Sequence, residues 1–146
     1  MNDSIVKKYF IANLVDLIVP AIPLAYFYFF NNLTIFEYLG FFELLGIVYL
    51  IFNLIAYLRI NGNTIGGNLT KLLLLDVKSD KKNHFKNIIR LILTSGFIFY
   101  MHSINEFNIS IFLAFLFLFI PVKFRIKDEY CYSIINRFLM LKYKNV

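Results

Sequence analysis

Asp16 sits about seven residues into a stretch, 9–30, that is otherwise apolar apart from Asn13. In water it would be an ordinary acid. In hydrocarbon a carboxylate costs roughly 2.5–3.5 kcal/mol on insertion scales unless it is paired, hydrated or protonated. Such a group belongs on the inward face of a helix bundle, where it can take up a proton or a cation, or pair with a basic side chain.

The cations placed to meet it are Arg90, Arg59 and Arg125, each beside an apolar run. Arg90 is the first choice. Two roles stay open for the pair: a transport or gating site, or a clamp joining two helices. Asn13 is three residues before Asp16 and shares its helical face, and Asn53 lies in the next apolar run. These amides can complete a polar cluster, although interhelical hydrogen bonding is reason enough for them.

The remaining chemistry is sparse. Glu37, Glu43 and Glu106 stand at or near the ends of apolar runs and can snorkel to the headgroups. His84 and His102 fall on opposite sides of the membrane in the topology below, which separates them as a metal pair or proton relay. Cys131, the single cysteine, has no partner for an internal disulfide, and no Cys/His cluster has metal-ligand spacing. No nucleophile elbow, HExxH or GxxxxGK[ST] occurs, and neither Ser133 nor Cys131 has a base at helical spacing. The reading is of a non-enzyme without cofactor. In Gly62-Asn63-Thr64-Ile65-Gly66-Gly67 the glycines suit a tight backbone re-entry beside the membrane, favoured here over an anion site made of bare amides.

The elements that must position these residues follow from composition. Of 146 residues 60% are hydrophobic and 19% aromatic, with a mean hydropathy of +0.68. That is above the roughly 45–50% apolar content of soluble domains. Four apolar runs, at about 9–30, 39–58, 88–104 and 109–122, approach the ~20 residues that cross a hydrocarbon core. The first contains Pro20 and Pro23, which predict a kink, and no small-residue cleavage site follows it, so it reads as a retained span. The last two are short and predict either little tilt or a locally thin bilayer.

Between the second and third runs lies a polar segment, 59–87, whose apolar stretch 69–77 is too short to span and is expected at the lipid interface or against the bundle. The tail, 123–146, alternates apolar and basic residues and suggests an interfacial segment, with an amphipathic helix as one form. The links 31–38 and 105–108 hold no Lys or Arg, so all 15 basic residues fall on one side. By the positive-inside rule that side is cytoplasmic. The net charge of +6 is thus a matter of topology, with no groove-binding pattern for nucleic acid.

Three blocks in this order resemble the bacterial RDD family of small multi-spanning membrane proteins. Ala12-Asn13-Leu14-Val15-Asp16 is similar to its A-x-x-[IL]-D. Gly62-Asn63-Thr64-Ile65-Gly66 is similar to its G-x-T-x-G, followed by Asp76-Val77-Lys78 and Ile89-Arg90-Leu91. Asp128-Glu129-Tyr130-Cys131-Tyr132-Ser133 is similar to its D-x-x-x-G-[TS]. Asp16 and Asp128 would be the two aspartates in the family's name. The chain departs from the pattern at Tyr9, where the family's Arg is expected, at Gly67 for a Lys, at Lys127 for a His and at Tyr132 for a Gly. The resemblance implies a membrane fold, with transport suggested for some members and regulatory or protective roles for others.

These readings predict an all-α, four-helix membrane bundle of the bacterial cytoplasmic membrane, with both termini cytoplasmic. Asp16, Arg90 and Asp128 form its polar constellation beside Gly62, Thr64 and Gly66. Two functions fit. One is a transport or permeation component for a cation or proton, assembled as a homo-oligomer. The other is an accessory or immunity protein that binds a membrane partner or toxin.

Overall fold

The computed structural model describes residues 3–30, 39–101, 124–126, 129–131 and 133–145. Expectations that fall on the links 31–38 and 105–108, on the run 109–122, and on Glu37, His102, Glu106 and Asp128 lie outside the described residues.

The described chain is mostly helical. It contains α1 (Asp3–Phe30), α2 (Phe41–Arg59), α3 (Ile65–Leu69), β1 (Leu72–Asp76), α4 (His84–Tyr100), β2 (Phe124–Ile126), β3 (Glu129–Cys131), α5 (Ile134–Phe138) and β4 (Leu141–Asn145). Among the described residues α1 and α2 are the two helices long and apolar enough to cross a membrane. Their apolar side chains are largely turned outward, with Ile22, Phe29, Phe30, Ile51, Ile55 and Leu58 all exposed. The core helix of a soluble domain shows a narrower apolar stripe, buried against its neighbours.

Local chemistry sets the ends of the elements. Glu43 accepts the Gly40 N–H at 2.8 Å in the first turn of α2, so this acid caps a helix, a closer use than snorkelling. Asn61 and Gly62 take positive φ after α2, and the Gly62 N–H returns to the Tyr57 carbonyl at 2.9 Å. That left-handed turn is the tight re-entry expected of the glycines. Thr64, Asn83 and Ser133 cap α3, α4 and α5 through side-chain oxygens that accept from Gly67, Lys86 and Asn136.

Helices α2 and α4 approach closely at Gly46. The Ser95 hydroxyl donates to the Gly46 carbonyl at 2.7 Å, and a Cβ on Gly46 would stand 2.9 Å from the Ser95 carbonyl oxygen. A small residue at the crossing lets the two helix backbones approach, and the hydroxyl ties them together.

The segment 69–77 and the tail depart from the purely helical expectation. β1 pairs antiparallel with β4, from Leu72 opposite Asn145 to Asp76 opposite Leu141, and β2 pairs with β3. Leu72 and Leu141 are fully buried, and Leu74 and Leu141 join a core built around Leu45, Tyr49 and Leu91. Of the two places expected for segment 69–77, it takes the one against the bundle. After β2 and β3 the tail continues as a short helix and a strand, because Met140, at positive φ, stops the helical path before Leu141.

Candidate functional site

The site is assembled where α1, α3 and α4 meet. Asp16, on α1, is 3% exposed. Its Oδ1 accepts the Gly66 backbone N–H at 2.7 Å, and its carboxylate is also hydrogen-bonded to the Thr64 side chain. Thr64 Oγ1 accepts from the Gly67 N–H at 3.1 Å, so its one hydroxyl hydrogen is left to donate to Asp16. The approach needs glycine, because a Cβ on Gly66 would fall 1.9 Å from the Ala12 carbonyl oxygen. Loop and acid, which the sequence presents far apart, form one unit.

Arg90, on α4, is buried as well. Its Nη2 donates to Asn13 Oδ1 at 2.8 Å, and Asn13 Nδ2 donates back to the Tyr9 carbonyl at 2.9 Å. Among the described residues no contact ion pair joins Arg90 to Asp16; the guanidinium charge acts on the carboxylate through space. Arg90 also lies 5.9 Å from the centre of the Tyr143 ring, which meets Tyr9 edge-on at 5.1 Å. Burial pushes the Tyr143 phenol above its usual range, which keeps it neutral.

Asn53 Nδ2 bridges the Asp16 carbonyl at 3.1 Å and the Tyr49 carbonyl at 3.0 Å, tying α2 to α1 behind the acid. Both amides suggested by the sequence therefore sit in the polar cluster. Asn13 is the partner of Arg90, and Asn53 is backbone glue.

Asp76, the acid of the loop's Asp-Val-Lys, is a separate hub. Its carboxylate meets Lys86 Nζ at 2.6 Å, the Lys78 N–H at 2.7 Å and Asn83 Nδ2 at 3.3 Å. The Lys86 contact, ahead of the other partners, holds its carboxyl below the usual range. On the outer side of this turn Asp80 bridges Lys142 at 2.8 Å and Lys144 at 3.4 Å, linking loop to tail.

Of the residues singled out from sequence, Asp16, Thr64 and Gly66 are in contact, while Arg90 bonds Asn13 on the same helix as Asp16 and reaches the carboxylate only by its charge. Gly62 lies one turn away, against the His84 ring. No family model, curated protein or solved structure matches this chain.

The sequence alone does not mark Tyr9, Tyr57, Asn87 or Tyr143 as site residues, and it offers His84 no partner, whereas in the structure His84 meets Tyr57. Tyr57 and Asn87 each sit on an apolar helix with the polar end turned inward, and the side of a helix a residue faces depends on packing. Tyr143 belongs to the alternating tail, where a period of two could have marked a strand.

Proposed function

We propose that this chain is a small RDD-like component of a bacterial cytoplasmic membrane that moves a proton or cation, with Asp16 as the ion-binding group. In this reading the two apolar helices are the first spans of four, α4 and the run 109–122 supply the third and fourth, and both termini are cytoplasmic. The lysines and arginines of the loop and tail support that orientation through the positive-inside rule. At 17.3 kDa the chain acts as a homo-oligomer.

The observation that carries the reading is how Asp16 is held. A structural clamp would bring the guanidinium onto the carboxylate, since a buried charge with a removed partner costs more than a direct pair. Here Arg90 is spent on Asn13, and Asp16 is held by a neutral amide and a hydroxyl. An ionised carboxylate has about four lone-pair sites, so this coordination leaves room for a proton or cation. The nearby positive charge keeps the anion affordable without blocking exchange.

The test is ion flux across proteoliposomes under imposed proton or sodium gradients, comparing the native chain with Asp16→Asn. Flux that disappears in a folded variant supports the reading. Absence of flux from the folded native chain rejects it and favours the accessory or immunity role.

A further inference from the structure

Asp16 is buried, so any proton it exchanges needs a path to water. A cavity of about 10 Å³ lined by Tyr57, Thr64, Asn87 and Arg90 among others lies on the far side of Thr64, whose side chain is hydrogen-bonded to Asp16. That is close to the space one water occupies, and a buried water needs two to four polar partners. They are present. Asn87 is 3% exposed and its Oδ1 has no hydrogen-bond partner among the described residues, and Thr64, Tyr57 and Arg90, which carry hydroxyl and guanidinium groups, line the same cavity.

From this cavity the polar groups continue outward. Asn87 Nδ2 donates to Tyr57 Oη at 3.3 Å, and Tyr57 Oη meets His84 Nδ1 at 2.8 Å. Tyr57 is buried, whereas His84 is exposed at the start of α4. An amide nitrogen can only donate, so the phenol oxygen accepts from Asn87 in every state. Its own hydrogen has two destinations, His84 Nδ1 or the cavity.

We infer that Asp16 exchanges its proton with the loop side of the protein through a relay of His84, Tyr57, one buried water and Thr64. The inference rests on reading Asp16 as the ion-binding group and names the proton as its ion and the loop as its entrance. The inward step starts with His84 Nδ1–H donating to Tyr57 and the phenol hydrogen pointing into the cavity. A proton from solvent binds His84 Nε2. The Nδ1–H bond then breaks as a new Tyr57 O–H forms, Tyr57 hands its former hydrogen to the water, the water hands one to Thr64, and the Thr64 hydroxyl hydrogen passes to Asp16. Each oxygen between the ends gains one hydrogen and loses one. His84 is left neutral with its hydrogen on Nε2, and Asp16 is left as the acid. Reversal of the imidazole tautomer resets the chain. Arg90 does not titrate and fixes the water by donation, and Tyr49 and Tyr143, which also feel the charge of Asp16, are phenols whose ordinary titration lies far above neutral pH.

The test is a pH jump on the full chain in lipid nanodiscs, followed by time-resolved infrared absorption of the protonated carboxyl, with the Asp16 band assigned by its loss in Asp16→Asn. Tyr57→Phe keeps the ring and removes the relay hydroxyl. It is expected to slow the rise of the band by on the order of 100-fold, the low end of what a positioned proton-transfer group contributes, at an unchanged end point. His84→Ala, at an exposed site, should slow it too, and added imidazole should restore the rate. A structural role would not respond to imidazole. Native rates in both variants, a failed rescue, or no Asp16 band on acidification would overturn the relay. Flux is not read here, so a chain that protonates Asp16 through His84 yet carries no current would separate failure of transport from failure of the relay.

Discussion

Asp16 on the first helix and Gly66 in the short helix α3 are joined by one hydrogen bond of 2.7 Å, at a point where the two backbones touch. Gly66→Ala should therefore be among the most damaging small substitutions, since its methyl group would overlap the Ala12 carbonyl. A loss of at least about 2 kcal/mol is expected from overpacking. Thermal unfolding in detergent, followed by circular dichroism, measures it; a native-like melting curve would show that the loop can move off the helix.

Asp16→Asn and Asp16→Ala should differ in stability. The amide keeps an oxygen for the Gly66 N–H, whereas alanine leaves that donor buried and unpaired at a cost of about 1–3 kcal/mol. Equal denaturation midpoints for the two variants would mean that water or another group replaces the acceptor.

Arg90→Lys is not a conservative change here. Lysine lacks the planar fork that places Nη2 on Asn13 and lies over the Tyr143 ring. The variant should lose about 1–3 kcal/mol, most of it through the unsatisfied Asn13 oxygen. In a double-mutant cycle with Asn13→Ala the two losses should fall short of additive; strict additivity would deny the contact.

Acid should loosen the loop through Asp76. Its folded carboxyl titrates below the ordinary value of about 3.9, so the Lys86 and Lys78 contacts contribute fully above that value and fade as pH falls through the lower folded one. Amide hydrogen exchange in β1 should accelerate over that interval, and Asp76→Asn should raise it already at neutral pH and flatten the acid response. An unchanged acid response in the variant would assign the effect to another group.

At the crossing of α2 and α4, Gly46→Val should cost far more than Ser95→Ala. The valine would strike the Ser95 carbonyl and Phe99, while the alanine only removes a hydrogen bond worth on average about 0.6 kcal/mol between membrane helices. A reversed order of melting temperatures would show that α2 and α4 are held apart by something else.

Some of this was legible in the chain and some was not. An acid in an apolar run is conspicuous, and Asp16 is indeed buried. Glycines around Thr64 announce a turn, and Asn61 and Gly62 make one. What sequence does not carry is the rotation of one helix about its axis relative to another. Arg90 is buried as expected of a partner for Asp16, yet its guanidinium goes to Asn13 and the carboxylate goes to Gly66. The leucines 72–75 were ambiguous for a different reason: a run of identical apolar residues has no period. Only the alternation of Leu141, Lys142, Tyr143 and Lys144, far along the chain, marks them as half of a ladder.

The pairing of β1 with β4 also imposes an order on biogenesis. A strand of four leucines and an aspartate leaves the ribosome while its partner is still unmade, and domains assemble from the N-terminal side as synthesis proceeds. Until Leu141–Asn145 follow, Leu72–Leu75 is an unmatched sheet edge of the kind that invites wrong pairing. The loop can reach Asp16 early, but its leucine strand must wait. A nascent chain arrested before Leu141 should accordingly show its loop open to protease, and one carried past Val146 by an added linker long enough to free Leu141–Asn145 from the ribosome should show it closed.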